Sequence, residues 1–222
     1  MKYVLLPGLD GTGLLFKPFI DILPKNIETV IIRYPTDKIL DYNELVNWTR
    51  PQLPQSEFTI IAESFSGYVA YLIGQLNIKH LNKIVFVASF LDNPNPKLLL
   101  LSRILPIKTL LKINTPKWII KKFLMDSKIN KQTIDLFHQC IKTVNPVVLF
   151  HRIKLISELK GNLPRLNIPT FYIKASKDKL VSKKAELMLI KTFPNIDQYN
   201  IDGPHFLLQA KPNQCKNIIF KS

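Results

Sequence analysis

The sequence predicts an α/β fold in which a mostly parallel sheet is flanked by helices and interrupted by an all-helical cap insertion. Three observations predict it. Short runs of strand length, mostly apolar, recur at 2–6, 29–34, 58–62, 83–88 and 170–174, with a more polar one at 198–201. Stretches with helical spacing separate them, and buried strands linked through helices belong to parallel sheets. From about 93 to 160 the strand rhythm stops and only helical patterns remain. The division that follows is a core made of 1–92 and 161–222, with 93–160 inserted at one end of the sheet as a lid.

Lys2 to Leu6 forms the first strand and closes on Pro-Gly-Leu-Asp-Gly-Thr-Gly at 7–13. A helix is expected over 14–22. The turn between them lacks both the Walker ending and a G-x-G-x-x-G frame, so a phosphate loop finds no support. Thr29 to Tyr34 is the second strand, stopped by Pro35, and a polar helix follows over 42–50. Phe58 to Ala62 leads into a helix over 65–76, and Lys83 to Ala88 is another strand, apolar throughout after its lysine. Inside the insertion, 98–112 is rich in Leu and Ile, and Thr115-Pro116 supplies an N-cap and first helical residue for a helix to Phe123. Asn130 opens another helix, and a last one covers 147–159. Beyond it come the strand 170–174, a helix over 182–192, the strand 198–201 and a terminal helix from about Phe206.

At 222 residues with 46% hydrophobic residues, the chain is long enough to bury a sizeable core. No apolar run reaches the ~18 residues of a membrane span. The N-terminal run breaks at Pro7-Gly8 with no cleavage site behind it, so no signal peptide is expected and the cytoplasm is the default. Cys140 and Cys215 have no metal or redox spacing and read as buried reduced thiols. The net charge of +15 comes largely from lysine, without zinc-finger spacing or an RNP-type aromatic motif, which argues against a nucleic-acid partner.

The chemistry centres on residues 61–68, Ile-Ala-Glu-Ser-Phe-Ser-Gly-Tyr. A β-branched run enters the stretch and a helix leaves it, with Ser64 at the turn between small residues Ala62 and Ser66. This is a relaxed form of the G-x-S-x-G nucleophile elbow. Alone, it fits a serine N-cap equally well. Two further strand ends tip the balance. Asp178 follows the strand 170–174, and His205 follows the strand 198–201. Ligands gather at the carboxyl ends of parallel strands, and Ser, Asp, His is a triad order. The serine needs a base, which His205 supplies, and Asp178 would fix its tautomer. The N–H groups of Phe65 and Leu9 are the expected oxyanion donors, which gives the glycine-rich turn its purpose. Asp10 reads as solvated turn chemistry, Glu63 as a hydrogen-bonding partner, and Asp202 as too near His205 in sequence to replace Asp178. His80, His138 and His151 read as structural.

At these residues the chain resembles the α/β-hydrolase superfamily over essentially its whole length, without an N-terminal β-hairpin. Within it the chain looks like the capped bacterial carboxylesterases, including the pimeloyl-acyl-carrier-protein methyl ester esterases of biotin synthesis. The likeness is carried by Val-Val-Leu-Phe-His-Arg at 147–152, Leu-Pro-Arg-Leu-Asn-Ile-Pro-Thr at 163–170, Asp178, and Gly-Pro-His at 203–205. Pro7-Gly8 departs from the common His-Gly, and Ala62 and Ser66 replace both elbow glycines. The turn at 7–13 also looks like that of phytyl ester synthase-type acyltransferases, but no His-x₄-Asp signature accompanies it. The resemblance implies ester hydrolysis through an acyl-enzyme, with no metal or organic cofactor. Acyl thioesterase or acyltransferase activity on carrier- or lipid-linked acyl groups is the neighbouring alternative. A catalytically inactive binding module is the alternative of another class.

Residues 93–160 carry 13 basic and three acidic residues, a surplus of +10 within the chain's +15. That suggests an acyl ester presented on an acidic acyl carrier protein. Arg103, Lys121, Lys122 and Arg152 are the expected carrier contacts, and Trp118, Phe123, Phe137 and Phe150 the expected walls of an acyl tunnel. The basic, Leu-rich segment 98–112 is also suited to contact with an anionic membrane surface.

Overall fold

The computed structural model describes residues 1–96, 125 and 129–221. Six strands make one sheet, β1 (Lys2–Leu6), β2 (Glu28–Ile31), β3 (Phe58–Glu63), β4 (Leu81–Val87), β5 (Thr170–Ala175) and β6 (Ile196–Ile201). Their order is β2-β1-β3-β4-β5-β6, and every pairing is parallel. The chain steps outward from β1 to β2, then returns past β1 to β3 and continues the other way. The crevice at the carboxyl ends of β1 and β3 is therefore a topological switch point, where sheets of this kind hold their ligands.

Period-two alternation divides the core in two. Val4 and Leu6 of β1, with Ile60 and Ala62 of β3, face one side of the sheet. There they meet α2 (Tyr42–Thr49), α3 (Ser66–Gln75) and α6 (Lys183–Thr192) through Leu45, Val69, Ile73 and Leu189. Tyr3, Leu5 and Ile61 face the other side, against Phe19 of α1 (Lys17–Ile20), Leu207 of α7 (Leu207–Ala210), and Cys215 and Ile219 of α8 (Pro212–Ile219). All six residues of β3 are buried, as a central strand covered on both faces must be. Each fully buried Leu, Ile or Val contributes about 1.5–3 kcal/mol.

Between β4 and β5 the described regular elements are helices, α4 (Lys131–Thr143) and α5 (Pro146–Glu158). Asn130 caps α4 by accepting from the Thr133 N–H, and Asn145 caps α5 at the Val147 N–H with Pro146 at the first helical position. The expected helices within 98–123 lie outside the described residues.

Three expectations shift. β2 ends at Ile31 rather than Tyr34, because the Tyr34 N–H leaves the ladder and donates to Gly11 O at 2.8 Å. The helix expected over 14–22 is a 3₁₀ turn (Leu14–Phe16) followed by the single turn of α1, closed by the tight Ile22 N–H to Phe19 O and Leu23 N–H to Ile20 O bonds. The terminal helix is two pieces, since Pro212 has no N–H to carry it past Lys211. Among the described residues, no helix is long and apolar enough to cross a membrane.

Candidate active site

Ser64 follows β3 directly, with φ of 49°, a left-handed conformation that is strained for a residue with a side chain. Its N–H donates to Val87 O at 3.0 Å, and its carbonyl accepts from Gly67 N–H at 3.0 Å to start α3. The need for glycine has moved one residue along from the usual motif. A Cβ on Gly67 would lie 2.9 Å from Phe90 O and 2.9 Å from Ser89 Cβ, so α3 can approach the loop after β4 only there. Ser66 is tolerated because its buried hydroxyl is employed. It donates to Pro7 O and lies 2.7 Å from the Tyr34 hydroxyl. Its one proton is committed to Pro7, so the Tyr34 phenol is the donor of that second bond.

Asp178 and His205 arrive on the loops after β5 and β6, which the bond from Lys177 N–H to Gly203 O at 3.0 Å ties together. His205 is buried, with Nε2 2.8 Å from Ser64 Oγ and Nδ1 2.7 Å from Asp178 Oδ2. The other Asp178 oxygen accepts from the N–H groups of Leu180 (2.8 Å) and Val181 (3.0 Å). Burial alone would raise the Asp178 carboxyl, but the charge and hydrogen bond of His205 and these two N–H donors outweigh it and hold it low. Burial alone would lower His205, but Asp178, through charge and hydrogen bond, and then Glu63 hold it above its ordinary 6.5. An ionised Asp178 accepts the Nδ1 proton, which leaves Nε2 free to take one from Ser64. Asp202 is elsewhere, exposed and bound to Ser176 Oγ and Lys177 Nζ at 2.9 Å each.

The turn after β1 lies beside the elbow, joined to it by Ser66 Oγ on Pro7 O. Its carbonyls are claimed one after another: Pro7 O by Ser66 Oγ, Gly8 O by the Gly11 N–H (3.1 Å), Leu9 O and Asp10 O by Arg152 Nη1 (2.9 and 2.7 Å), and Gly11 O by the Tyr34 N–H. In a trans peptide the N–H points opposite its C=O. Fixing Gly8 O therefore fixes the direction of the Leu9 N–H. Neither Leu9 nor Phe65 gives its main-chain N–H to another described residue.

Several residues differ from expectation. Arg152, expected as a carrier contact, is 2% exposed and turned inward onto the turn, with Nη2 on Pro35 O at 2.9 Å. The signal was present in the helical phase, since Val148, Leu149, Arg152 and Ile156 share the buried face of α5. Asp10 is buried rather than solvated, because α5 covers the turn, and its carboxylate accepts from the Thr12 N–H (2.8 Å) and hydroxyl. Glu63 is buried as well, and its Oε1 has no partner among the described residues. Burial pushes the Glu63 carboxyl up to about 7. Phe137 is buried on α4 against Phe206, at 6.0 Å between ring centroids, and Phe206 lies 5.7 Å from the His205 ring. Phe150 is half-buried. Arg103, Trp118, Lys121, Lys122 and Phe123 lie outside the described residues. Cys140 and Cys215 are buried free thiols, and burial pushes Cys140 up to about 12. Among the described residues no three His, Cys, Asp or Glu side chains cluster as metal ligands.

Solved structures share this architecture end to end. An esterase from Exiguobacterium antarcticum superposes with a TM-score of 0.78 at 11% identity, over 99% of this chain and 90% of that one. A thermophilic esterase from Thermogutta terrifontis gives 0.77 at 14% identity, over 99% and 88%. An α/β hydrolase enzyme from a Medee basin deep-sea metagenome library gives 0.73 at 14%, over 98% and 86%. The chain has the α/β-hydrolase fold. No protein-family model and no curated protein matches its sequence. Within the α/β-hydrolase fold, the turn after β1, the elbow after β3 and the loops after β5 and β6 meet at one edge of the sheet.

Proposed function

We propose that this protein is a serine hydrolase that cleaves a carboxylic ester through Ser64, His205 and Asp178. The supporting observation is the continuous relay from Ser64 Oγ through His205 to Asp178 Oδ2, beside a turn whose carbonyls from Pro7 to Gly11 are bonded elsewhere. The esterases among its structural neighbours agree with this reading. In the reaction, Nε2 takes the Ser64 proton as Oγ bonds to the acyl carbon. The carbonyl electrons move onto oxygen, where the Leu9 and Phe65 N–H groups stabilise them. The C–O bond to the alcohol then breaks, and Nε2 returns its proton to the leaving oxygen. Water repeats the sequence on the acyl-enzyme and releases the acid and Ser64.

For the finer reading, the substrate is an acyl methyl ester on an acidic acyl carrier protein, as in biotin synthesis, met by the basic residues of 93–160. The +10 surplus in that segment supports it. A thioester or an acyl acceptor other than water would use the same acyl-enzyme. Incubation with a fluorophosphonate probe tests the class. Wild-type protein is expected to be labelled and Ser64→Ala is not, whereas an unlabelled wild type leaves a binding module. Turnover of methyl pimeloyl-carrier beside p-nitrophenyl esters of graded length tests the substrate. Added salt should depress the first steeply and spare the second, and equal sensitivity sinks the carrier reading.

A further inference from the structure

We infer that Arg152 is a positioning residue for the reaction, holding the turn 8–11 so that the Leu9 N–H faces the carbonyl oxygen of the ester that Ser64 attacks. The inference rests on the hydrolase reading above. A guanidinium is a rigid planar fork of donors, so the carbonyls it binds are fixed relative to one another as well as to the helix behind it. Here Nη1 takes Leu9 O and Asp10 O, and Nη2 takes Pro35 O. One side chain on α5 thereby joins the turn after β1 to the segment that leaves β2. The Tyr34 ring lies 5.7 Å from the guanidinium carbon and flanks it.

Gly11 is the complement of this arrangement. Its φ is +73°, and a Cβ there would lie 2.4 Å from Arg152 Nη1. The turn therefore leaves the guanidinium a space that only glycine provides. The two peptides Arg152 grips, those of the Leu9 and Asp10 carbonyls, follow immediately on the peptide whose N–H is the oxyanion donor. With them released, the donor's own peptide would keep only the Gly8 O bond to the Gly11 N–H, with the turn anchored at its ends by Pro7 O and Gly11 O. Because Arg152 belongs to the helical segment between β4 and β5, that segment takes part in forming the oxyanion site as well as in covering it.

Steady-state hydrolysis of a p-nitrophenyl ester, inhibition by an alkyl trifluoromethyl ketone, and thermal melts of wild type, Arg152→Lys, Arg152→Met and Gly11→Ala test this. The ketone adds to Ser64 and places an oxyanion where the transition state has one, so its Ki reports that site separately from ground-state binding. Arg152→Met is expected to lose about 10²-fold in kcat with KM unchanged, the scale set by a lost or misplaced oxyanion donor. Its ketone Ki should rise in parallel. Arg152→Lys keeps the stem and charge without the fork and should fall between, and Gly11→Ala should resemble Arg152→Met. If Arg152→Met does not fold, Arg152→Lys decides on the same readouts. Folded variants with wild-type kcat, or with ketone Ki unchanged while melting temperature and kcat fall together, overturn the inference and leave Arg152 a purely structural side chain. A wild type that hydrolyses no ester and takes no fluorophosphonate overturns the hydrolase reading and this inference with it.

Discussion

Ser66 Oγ donates to Pro7 O and so fastens the first residue of α3 to the residue that opens the turn after β1. The two halves of the proposed site, the Ser64 elbow and the turn after β1, are thereby joined by a side chain at a position where the usual motif has glycine and nothing to offer. The same oxygen receives the Tyr34 phenol, so two buried polar groups depend on one hydroxyl. Ser66→Ala strands both the Pro7 carbonyl and the Tyr34 hydroxyl. Its expected cost is ~1–3 kcal/mol for each unsatisfied group, read as a lower urea midpoint with unchanged m-value. A variant as stable as wild type would mean that these groups find other partners.

Ser64 separates catalytic from conformational cost. Its φ of 49° persists whatever the side chain, so Ser64→Ala removes the nucleophile but keeps the strain. Ser64→Gly removes both, since glycine accepts positive φ freely. Both variants should lose hydrolysis and labelling, while Ser64→Gly is expected to be more stable than Ser64→Ala by ~1 kcal/mol or more. Equal unfolding midpoints would show that the elbow is held without strain.

Asp178 and Asp202 are a matched pair for testing the relay. Both follow the strands that end at the site, yet Asp178 is buried on His205 Nδ1 while Asp202 is exposed on Lys177. Asp178→Asn offers an amide where Nδ1–H needs an acceptor and favours the wrong tautomer. A loss on the order of 10⁴-fold in kcat is expected. Asp202→Asn should leave kcat and KM unchanged. A large loss for Asp202→Asn alone would reassign the triad acid.

What was legible in the sequence follows the range of the forces involved. The central strands are legible because a strand covered on both faces is continuously apolar, whereas β6 is a half-exposed edge strand with polar residues. Ser64, Asp178 and His205 stand out because each follows a strand. β2 was drawn too long because Tyr34 suits a strand as well as any residue, and only its distant bond to Gly11 O removes it from the ladder. Arg152 and Asp10 were read by charge as solvent-facing. Their burial comes from α5 lying on the turn after β1, a contact between residues about 140 apart in sequence. The strand order that creates the crevice between β1 and β3 is likewise a property of packing, which no single segment encodes.

Glu63 provides the pH test. It precedes Ser64, is 2% exposed, and faces Gln209, Asp10 and His205, with the Cys215 thiol also within its field. Burial raises its carboxyl from 4.5 to about 7, with Gln209 working against the shift, Asp10 for it, and His205 against it. A carboxyl whose folded pKa lies above its unfolded value binds more proton when folded across the interval between them. Stability therefore falls as pH rises from about 4.5 to about 7, and the deficit is complete above that window. Glu63→Gln removes the titration and should gain on wild type by on the order of 3 kcal/mol between pH 5 and pH 8. Losing this charge also removes one of the groups that hold His205 high, so the acid limb of kcat/KM should move to lower pH. Urea unfolding at the two pH values and a pH–rate profile give both readouts. A stability gap that stays constant with pH, together with an unmoved acid limb, would show that Glu63 does not titrate in this range.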